Sequence, residues 1–76
     1  MNTFNRITFD NNILGGKAAI RGMRIPVSLI VSLVANGKTT EDIIKEYPDL
    51  QPEDIKEALQ YAAWLTTEEI PYAKGA

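Results

Sequence analysis

The chain contains 76 residues, of which 45% are hydrophobic and 24% are charged, and it has neither cysteine nor histidine. This composition is typical of one small globular domain and excludes a disordered chain, a disulfide-stabilised scaffold and a thiolate metal site. Because the commonest general base and the best nucleophile are both missing, an enzymatic function is disfavoured. We therefore expect a binding protein that needs no cofactor and no small-molecule substrate.

The net charge is −2, but the charges are unevenly distributed along the chain. Residues 1–38 hold five basic side chains and one carboxylate, whereas residues 39–76 hold three basic side chains and nine carboxylates. Such asymmetry indicates electrostatic complementarity with nucleic acid, with another protein or with the opposite half of a second copy. A chain of this size buries a limited core, so we expect a homodimer or a complex with another chain.

The sequence lacks the features of a secreted or membrane-inserted protein. Its first residues contain no basic segment followed by a long apolar one, which a signal peptide would require. The longest apolar stretch, residues 25–35, is interrupted by two serines and is too short to span a bilayer. We therefore expect a cytoplasmic protein that does not contact membranes.

A short β element is predicted within residues 5–26. Residues 6–10 combine β-branched and aromatic side chains, which is the pattern of a short strand. A turn at Gly22 is expected to fold residues 18–21 onto residues 23–25 as a small hairpin.

Three helices are predicted to follow, at about residues 27–36, 40–47 and 52–65. The first ends at an Asn-Gly pair, the second starts after a threonine and ends before a proline, and the third has a proline in its first turn. Residues 70–76 are expected to fray. The sequence thus predicts a single, mainly α domain over residues 1–76, in which a short N-terminal β-hairpin precedes a three-helix, helix-turn-helix-like bundle.

The first predicted helix is apolar on nearly all sides, interrupted only by Ser28, Ser32 and Ala35. A helix with this pattern is expected to be buried on most sides, and in so small a domain this favours a second chain packed against it. The two serines are expected to contribute to packing rather than to catalysis. Carboxylates at the starts of the second and third helices are best explained as helix caps rather than as catalytic or metal-binding groups.

The second and third helices resemble a helix-turn-helix unit, with the third in the recognition position. The first turn of the third helix carries Glu53 and Asp54, however, and DNA phosphates would repel these carboxylates. The DNA-binding candidates are therefore the basic residues of the N-terminal half: Arg6, Lys17, Arg21 and Arg24. The alternative is that Arg21 and Arg24 hold the hairpin against acidic residues of the second or third helix.

Large aromatic residues near the C-terminus are candidates for partner contact. Tyr61 and Trp64 lie one helical turn apart, beside an apolar stripe that is already filled by aliphatic residues. Such a pair either completes a core or forms the centre of an interface. Tyr72, in the segment Ile-Pro-Tyr, is a third candidate for the same partner surface.

The segment over residues 15–27, Gly-Gly-Lys-Ala-Ala-Ile-Arg-Gly-Met-Arg-Ile-Pro-Val, resembles the hallmark of the bacterial domain-of-unknown-function family 433, which is close to G-G-K-P-x-I-R-G-T-R-I-P-V. Residues 47–50, 53–55 and 58–62 also fit, so the resemblance covers about residues 5–64. Ala18 stands where the family usually has proline, and Met23 where it usually has threonine. Neither departure changes the glycines or the arginines of the turn.

The resemblance implies a helix-turn-helix-like fold and a regulatory function. Members are often proposed as VapB-like antitoxins, encoded beside a toxin with a PIN-like ribonuclease domain. An antitoxin of this kind neutralises its toxin by protein contact and can also bind operator DNA. The alternatives are a stand-alone DNA-binding transcriptional regulator and a structural homodimer.

Overall fold

The computed structural model describes residues 4–66, so the predicted tail at 70–76 and its Tyr72 lie outside the described residues. Two short strands precede three helices. The strands and helices are β1 (Ile7–Thr8), β2 (Ala19–Ile20), α1 (Val27–Ala35), α2 (Thr40–Glu46) and α3 (Pro52–Leu65). The predicted fold class, a mainly α chain with a short N-terminal β-hairpin and three helices, is confirmed.

The β element contains the predicted hairpin and one further strand pair. The hairpin of residues 18–21 with 23–25 is present as a tight turn followed by an antiparallel bridge between Ala19 and Pro26. Backbone hydrogen bonds flank this bridge: the N–H of Ile20 donates to the carbonyl of Ile25, and the N–H of Val27 donates to the carbonyl of Ala18, both at 3.0 Å. On its other edge β2 pairs antiparallel with β1, with Ile7 opposite Ile20.

The turn after β2 depends on two left-handed residues, Arg21 with φ 46° and Gly22 with φ 72°. Positive φ at both central positions is the geometry of a type I′ turn, whose twist matches that of paired strands. The N–H of Met23 donates to the carbonyl of Ile20 at 2.7 Å and closes the turn.

Substitution of Gly22 tests this turn. A Cβ at Gly22 would meet no atom within 4 Å, so a substituent there is penalised through the backbone conformation alone. Gly22→Ala should lower the free energy of unfolding by about 1–2 kcal/mol, whereas Gly22→Asn should lower it by less, because asparagine tolerates the left-handed region. Urea unfolding of the two variants measures the difference. Equal losses would contradict a conformational role for this glycine.

Local signals also set the helix ends. The N–H of Lys38 donates to the carbonyl of Leu33 at 3.0 Å across Gly37, whose φ is 89°, and this closes the end of α1. At the start of α2, Thr39 and Asp42 form a reciprocal capping box, in which each side chain accepts the other's backbone N–H. The carboxylate of Asp42 is thus a cap, as expected from its position.

The core lies where the hairpin meets the three helices, and every named strand and helix contributes to it. Its buried side chains are Ile7, Ile20, Val27, Ile30, Ile43, Leu50, Ile55 and Ala58. In α1, Val27 and Ile30 are buried and the other large apolar side chains are half-buried, whereas Ser28, Ser32 and Ala35, which interrupt the apolar pattern, are exposed. The second chain expected to pack against this helix stays a prediction.

Candidate functional site

An ionic cluster joins the N-terminal segment to the first turn of α3. At its centre is Asp54, which has no exposed surface. Its Oδ1 accepts hydrogen bonds from Arg6 Nη1 at 2.9 Å and from Arg21 Nε at 3.0 Å. Its Oδ2 accepts from Arg21 Nη2 at 2.9 Å and from the backbone N–H of Gln51 at 2.7 Å. We call these four residues the Asp54 cluster. Both oxygens of the buried carboxylate are therefore matched by donors.

The cluster keeps the Asp54 carboxylate ionised. Burial by itself raises the pKa of Asp54, because it removes water from the charged form. The hydrogen bonds from Arg21, from the backbone of Gln51 and from Arg6 outweigh burial, so the pKa of Asp54 lies below its ordinary value. The same bond to Asp54 raises the pKa of Arg21.

Each arginine of the cluster also makes a second contact. Arg21 Nη2 donates to the carbonyl of Asp49 at 2.7 Å, and Arg6 Nη1 donates to Gln51 Oε1 at 2.7 Å. The backbone N–H of Arg6 donates to the carboxylate of Glu57. These bonds hold β1, the turn after β2 and the start of α3 together, so both guanidinium groups have a structural role.

The four basic candidates for DNA contact thus fall into two classes. Arg6 and Arg21 are committed to Asp54, as the alternative interpretation expected for Arg21. Arg24 and Lys17 are exposed, and neither forms an ion pair with another residue of the described range 4–66. The sequence offered the aspartate at the third position of the third helix and, as an alternative, Arg21 as a partner of an acidic residue there, but it gave no sign that Arg6 would join them.

Four aromatic rings form a second feature, which we call the aromatic cluster. Tyr61 and Trp64 of α3 lie 6.0 Å apart between ring centroids. Phe4 packs edge-on against Tyr61 at 5.3 Å and contacts Trp64 at 5.8 Å, while Phe9 lies 6.1 Å from Tyr61. Trp64 and Phe9 keep 45% and 61% of their surface exposed. The spacing of Tyr61 and Trp64 was visible in the sequence, whereas Phe4 and Phe9 reach them only through the fold.

An open groove of about 460 Å³ runs between α1 and α3, next to the aromatic cluster. We call it the α1–α3 groove. Its lining residues are Lys17, Ala18, Pro26, Val27, Ser28, Val31, Ser32, Tyr61, Ala62 and Leu65. Most of them are apolar, and Leu65 is 56% exposed. The two serines, for which packing was expected rather than catalysis, are exposed and lie on the rim of the groove. Because Tyr61 belongs to both features, the groove and the aromatic cluster form one continuous surface.

The described residues show no sign of a metal centre. Within residues 4–66, no three or more carboxylate, histidine or cysteine side chains are grouped so that they could hold a metal ion. The helices in that range are also too short or too polar to cross a membrane. The surface around α1 and α3, with its groove and exposed rings, is the best candidate for function among the features described.

Comparison with known proteins places the chain in a family. The family model described as "Protein of unknown function (DUF433)" matches residues 7–62, which include the cluster residues Arg21 and Asp54. The uncharacterized protein y4eO of Sinorhizobium fredii is 38% identical over 56 residues, which are 74% of this chain and 25% of that protein. This chain thus spans about a quarter of the length of that relative.

A solved structure agrees with the family match. The crystal structure of a DUF433 member from Anabaena variabilis superposes with a TM-score of 0.73 at 30% sequence identity. The superposition covers 95% of this chain and 70% of that one. On the family match and this likeness together, the chain belongs to the DUF433 family.

Proposed function

We propose that this chain is an antitoxin-like regulatory protein, which neutralises a PIN-like ribonuclease toxin by direct protein contact. The observation that carries the proposal is the continuous apolar surface formed by the aromatic cluster and the α1–α3 groove. Phe9, Trp64 and Leu65 are large apolar side chains that remain exposed on this surface. Contiguous exposed apolar residues of this size mark protein interfaces, and tryptophan and tyrosine are enriched among their hot spots.

The nature of the partner comes from the family resemblance of the hallmark segment over residues 15–27. VapB-like antitoxins act by occupying the toxin, so they need an interface and no catalytic groups of their own. The arrangement of residues 4–66 suits this way of acting, because an ionic cluster stabilises the scaffold while the apolar side remains available to a partner.

Truncation of Trp64 tests the interface. Trp64→Ala should weaken the complex by about 2 kcal/mol, or about 30-fold in Kd, because a half-exposed tryptophan within an apolar surface can act as an anchor for a partner. The partner is obtained by tagged pull-down from the native host and mass spectrometry, and its binding is then measured by calorimetry. Gln60→Ala is the matched control, since Gln60 is exposed on the same helix and does not line the groove.

Two results would count against the proposal, each in a different way. If the wild type and Trp64→Ala bound the partner with equal affinity, the aromatic cluster would not be part of the interface. A captured partner without ribonuclease activity, or one whose activity does not fall when the wild-type chain is added, would refute the antitoxin function itself.

A second function, operator DNA binding, is favoured by the exposure of Lys17 and Arg24. Both side chains are free of ion pairs within residues 4–66 and are available to phosphates, whereas Arg6 and Arg21 are held by Asp54. Phosphate neutralisation makes DNA affinity fall steeply with salt. Binding of the operator at two salt concentrations tests this second function, and an affinity that is absent or independent of salt would rule it out.

A further inference from the structure

The walls of the α1–α3 groove repeat at the spacing of a helical turn. Val27 and Val31 lie four residues apart on α1, and Tyr61 and Leu65 lie four residues apart on α3. Residues at this spacing are stacked on one face of their helix. The groove is therefore bounded by two apolar rows. An amphipathic helix offers apolar side chains at the same spacing and docks in grooves of this kind.

The groove is open, and this favours a docked helix over a small-molecule ligand as its occupant. Small-molecule sites are concave enough to bury about 70–90% or more of the ligand surface. Here Leu65 is more than half exposed, and the rim residues Ser28 and Ser32 face solvent. An apolar small molecule would remain partly in water, at a cost in free energy. An amphipathic helix would bury its apolar face and leave its polar face in water.

The charge of the lining indicates what that helix carries. Lys17 is the one charged side chain among the lining residues, and it is exposed without an ion pair inside the described range. No carboxylate of residues 4–66 lines the groove. A carboxylate on the incoming helix would pair with Lys17 and set the direction in which the helix lies.

A second copy of the chain fits the groove less well. A symmetric dimer brings the same patch to both sides of the interface. If two grooves faced each other, each would bring another Lys17 and no carboxylate from its described lining. A groove-to-groove dimer would therefore leave Lys17 without an acidic partner, which the carboxylate of an incoming helix supplies.

We infer that the α1–α3 groove binds an amphipathic helix of the partner protein, with an aspartate or glutamate of that helix paired to Lys17. The inference rests on the proposed function, in that it identifies the element through which the partner is bound. It makes the groove the specificity-determining part of the surface, and the aromatic cluster its apolar extension.

Photo-crosslinking from the groove rim tests the inference directly. A photoreactive amino acid at Ser32, in the full-length tagged chain in its native host, reports what lies in the groove. Ser32 is exposed, so the substitution should leave the fold intact. The expected product is a partner peptide from a helix with apolar residues three and four apart and at least one carboxylate. The same probe at Gln60, outside the groove, should not yield that peptide.

Other crosslinked products would overturn the inference. A second copy of this chain, its own residues 67–76, or a partner segment that is extended rather than helical would each show a different occupant. If the probe at Ser32 captured only the peptides captured from Gln60, the groove would not be the binding site.

Charge variants of Lys17 give a second readout on the purified complex. Lys17→Glu should weaken binding about tenfold, because it replaces an ion pair by repulsion, and reversing the partner's carboxylate to lysine should restore it. Arg24→Glu is the charge-matched control, since Arg24 is exposed but does not line the groove. If the wild type, Lys17→Glu and Arg24→Glu bound the partner with equal affinity, the inference would be overturned.

The two proposals can fail separately. If the wild-type chain inhibits a ribonuclease but the Ser32 probe does not capture a helix, the function stands and the groove assignment falls. If a helix is captured and Lys17→Glu weakens the complex, but the partner has no ribonuclease activity, the groove assignment stands and the antitoxin function falls.

Discussion

Replacing Asp54 with alanine is expected to lower the free energy of unfolding by about 2–3 kcal/mol. Removing one partner of a buried ion pair costs about 3–5 kcal/mol when the other charge is left without compensation. Here the side chains of Arg6 and Arg21 keep 29% and 35% of their surface exposed, so water recovers part of that cost. The backbone N–H of Gln51 also loses its acceptor. For a domain of this size the melting temperature should fall on the order of 10 °C or more.

Thermal unfolding followed by circular dichroism measures the effect, and Asp42→Ala is the matched control. Asp42 occupies the same position in α2 as Asp54 does in α3 and accepts the backbone N–H of Thr39, but it is exposed and binds no arginine in the described chain. Asp42→Ala should therefore lower the free energy of unfolding by less than Asp54→Ala does. Equal losses of unfolding free energy in the two variants would mean that Asp54 acts only as a helix cap and that its contacts with Arg6 and Arg21 do not stabilise the fold.

The Asp54 cluster also predicts how stability depends on pH. The pKa of Asp54 is lower in the folded chain than its ordinary value of 3.8, so the unfolded chain takes up the proton first as the pH falls. The stabilisation is fully present above that ordinary value and is lost as the pH falls through the folded pKa. Urea unfolding of the wild type should show a decline below about pH 5. In Asp54→Ala this decline should be shallower, with the remainder due to groups such as Asp42, whose pKa is lowered by the backbone N–H of Thr39.

Charge reversal at Arg21 and at Arg24 is expected to give opposite results, although the two residues are three positions apart in the same hairpin. Arg21→Glu places a carboxylate beside buried Asp54 and removes three hydrogen bonds, including the one to the carbonyl of Asp49. We expect this variant to be largely unfolded at about 25 °C, because it leaves a buried charge without its main partner. Arg24→Glu changes an exposed side chain and should alter the free energy of unfolding by no more than about 0.5 kcal/mol.

Melting curves of the two variants, measured side by side, decide the structural part of this prediction. If Arg21→Glu melted like the wild type, the Asp54 cluster would not stabilise the fold. Arg21→Lys is the informative intermediate, because lysine keeps the charge but cannot reach both oxygens of Asp54 in the two-pronged manner of arginine.

The test of DNA binding uses Arg24→Glu, because this variant is expected to remain folded. If operator DNA is bound, this variant should bind it more weakly, and the dependence of log K on log salt should become shallower by about one. Unchanged DNA binding by Arg24→Glu would show that Arg24 does not contact the DNA. A loss of DNA binding in Arg21→Glu alone would report unfolding and could not be assigned to a phosphate contact.

Local signals in the sequence were sufficient for the helices and the fold class. Gly37 ends α1, Thr39 caps α2 and Pro52 starts α3, and each acts through the backbone of its own turn. Such signals are independent of the rest of the chain, which is why they can be recognised without a structure. The absence of thiol and imidazole side chains could also be read without a structure, because it depends on composition alone.

Pairing across the chain was decided only by the tertiary structure. Arg6 and Arg21 are 48 and 33 positions from Asp54, and no local pattern indicates which of ten carboxylates a given arginine will meet. The α1–α3 groove is lined by residues of two helices that lie far apart in the sequence, so it is a property of their relative position. The sequence by itself therefore determined the elements and showed that this chain supplies neither a thiol nor an imidazole. Only the fold decided that Arg6 and Arg21 stabilise the scaffold while Lys17 and Trp64 remain available to a partner, because burial and ion pairing depend on distances in space.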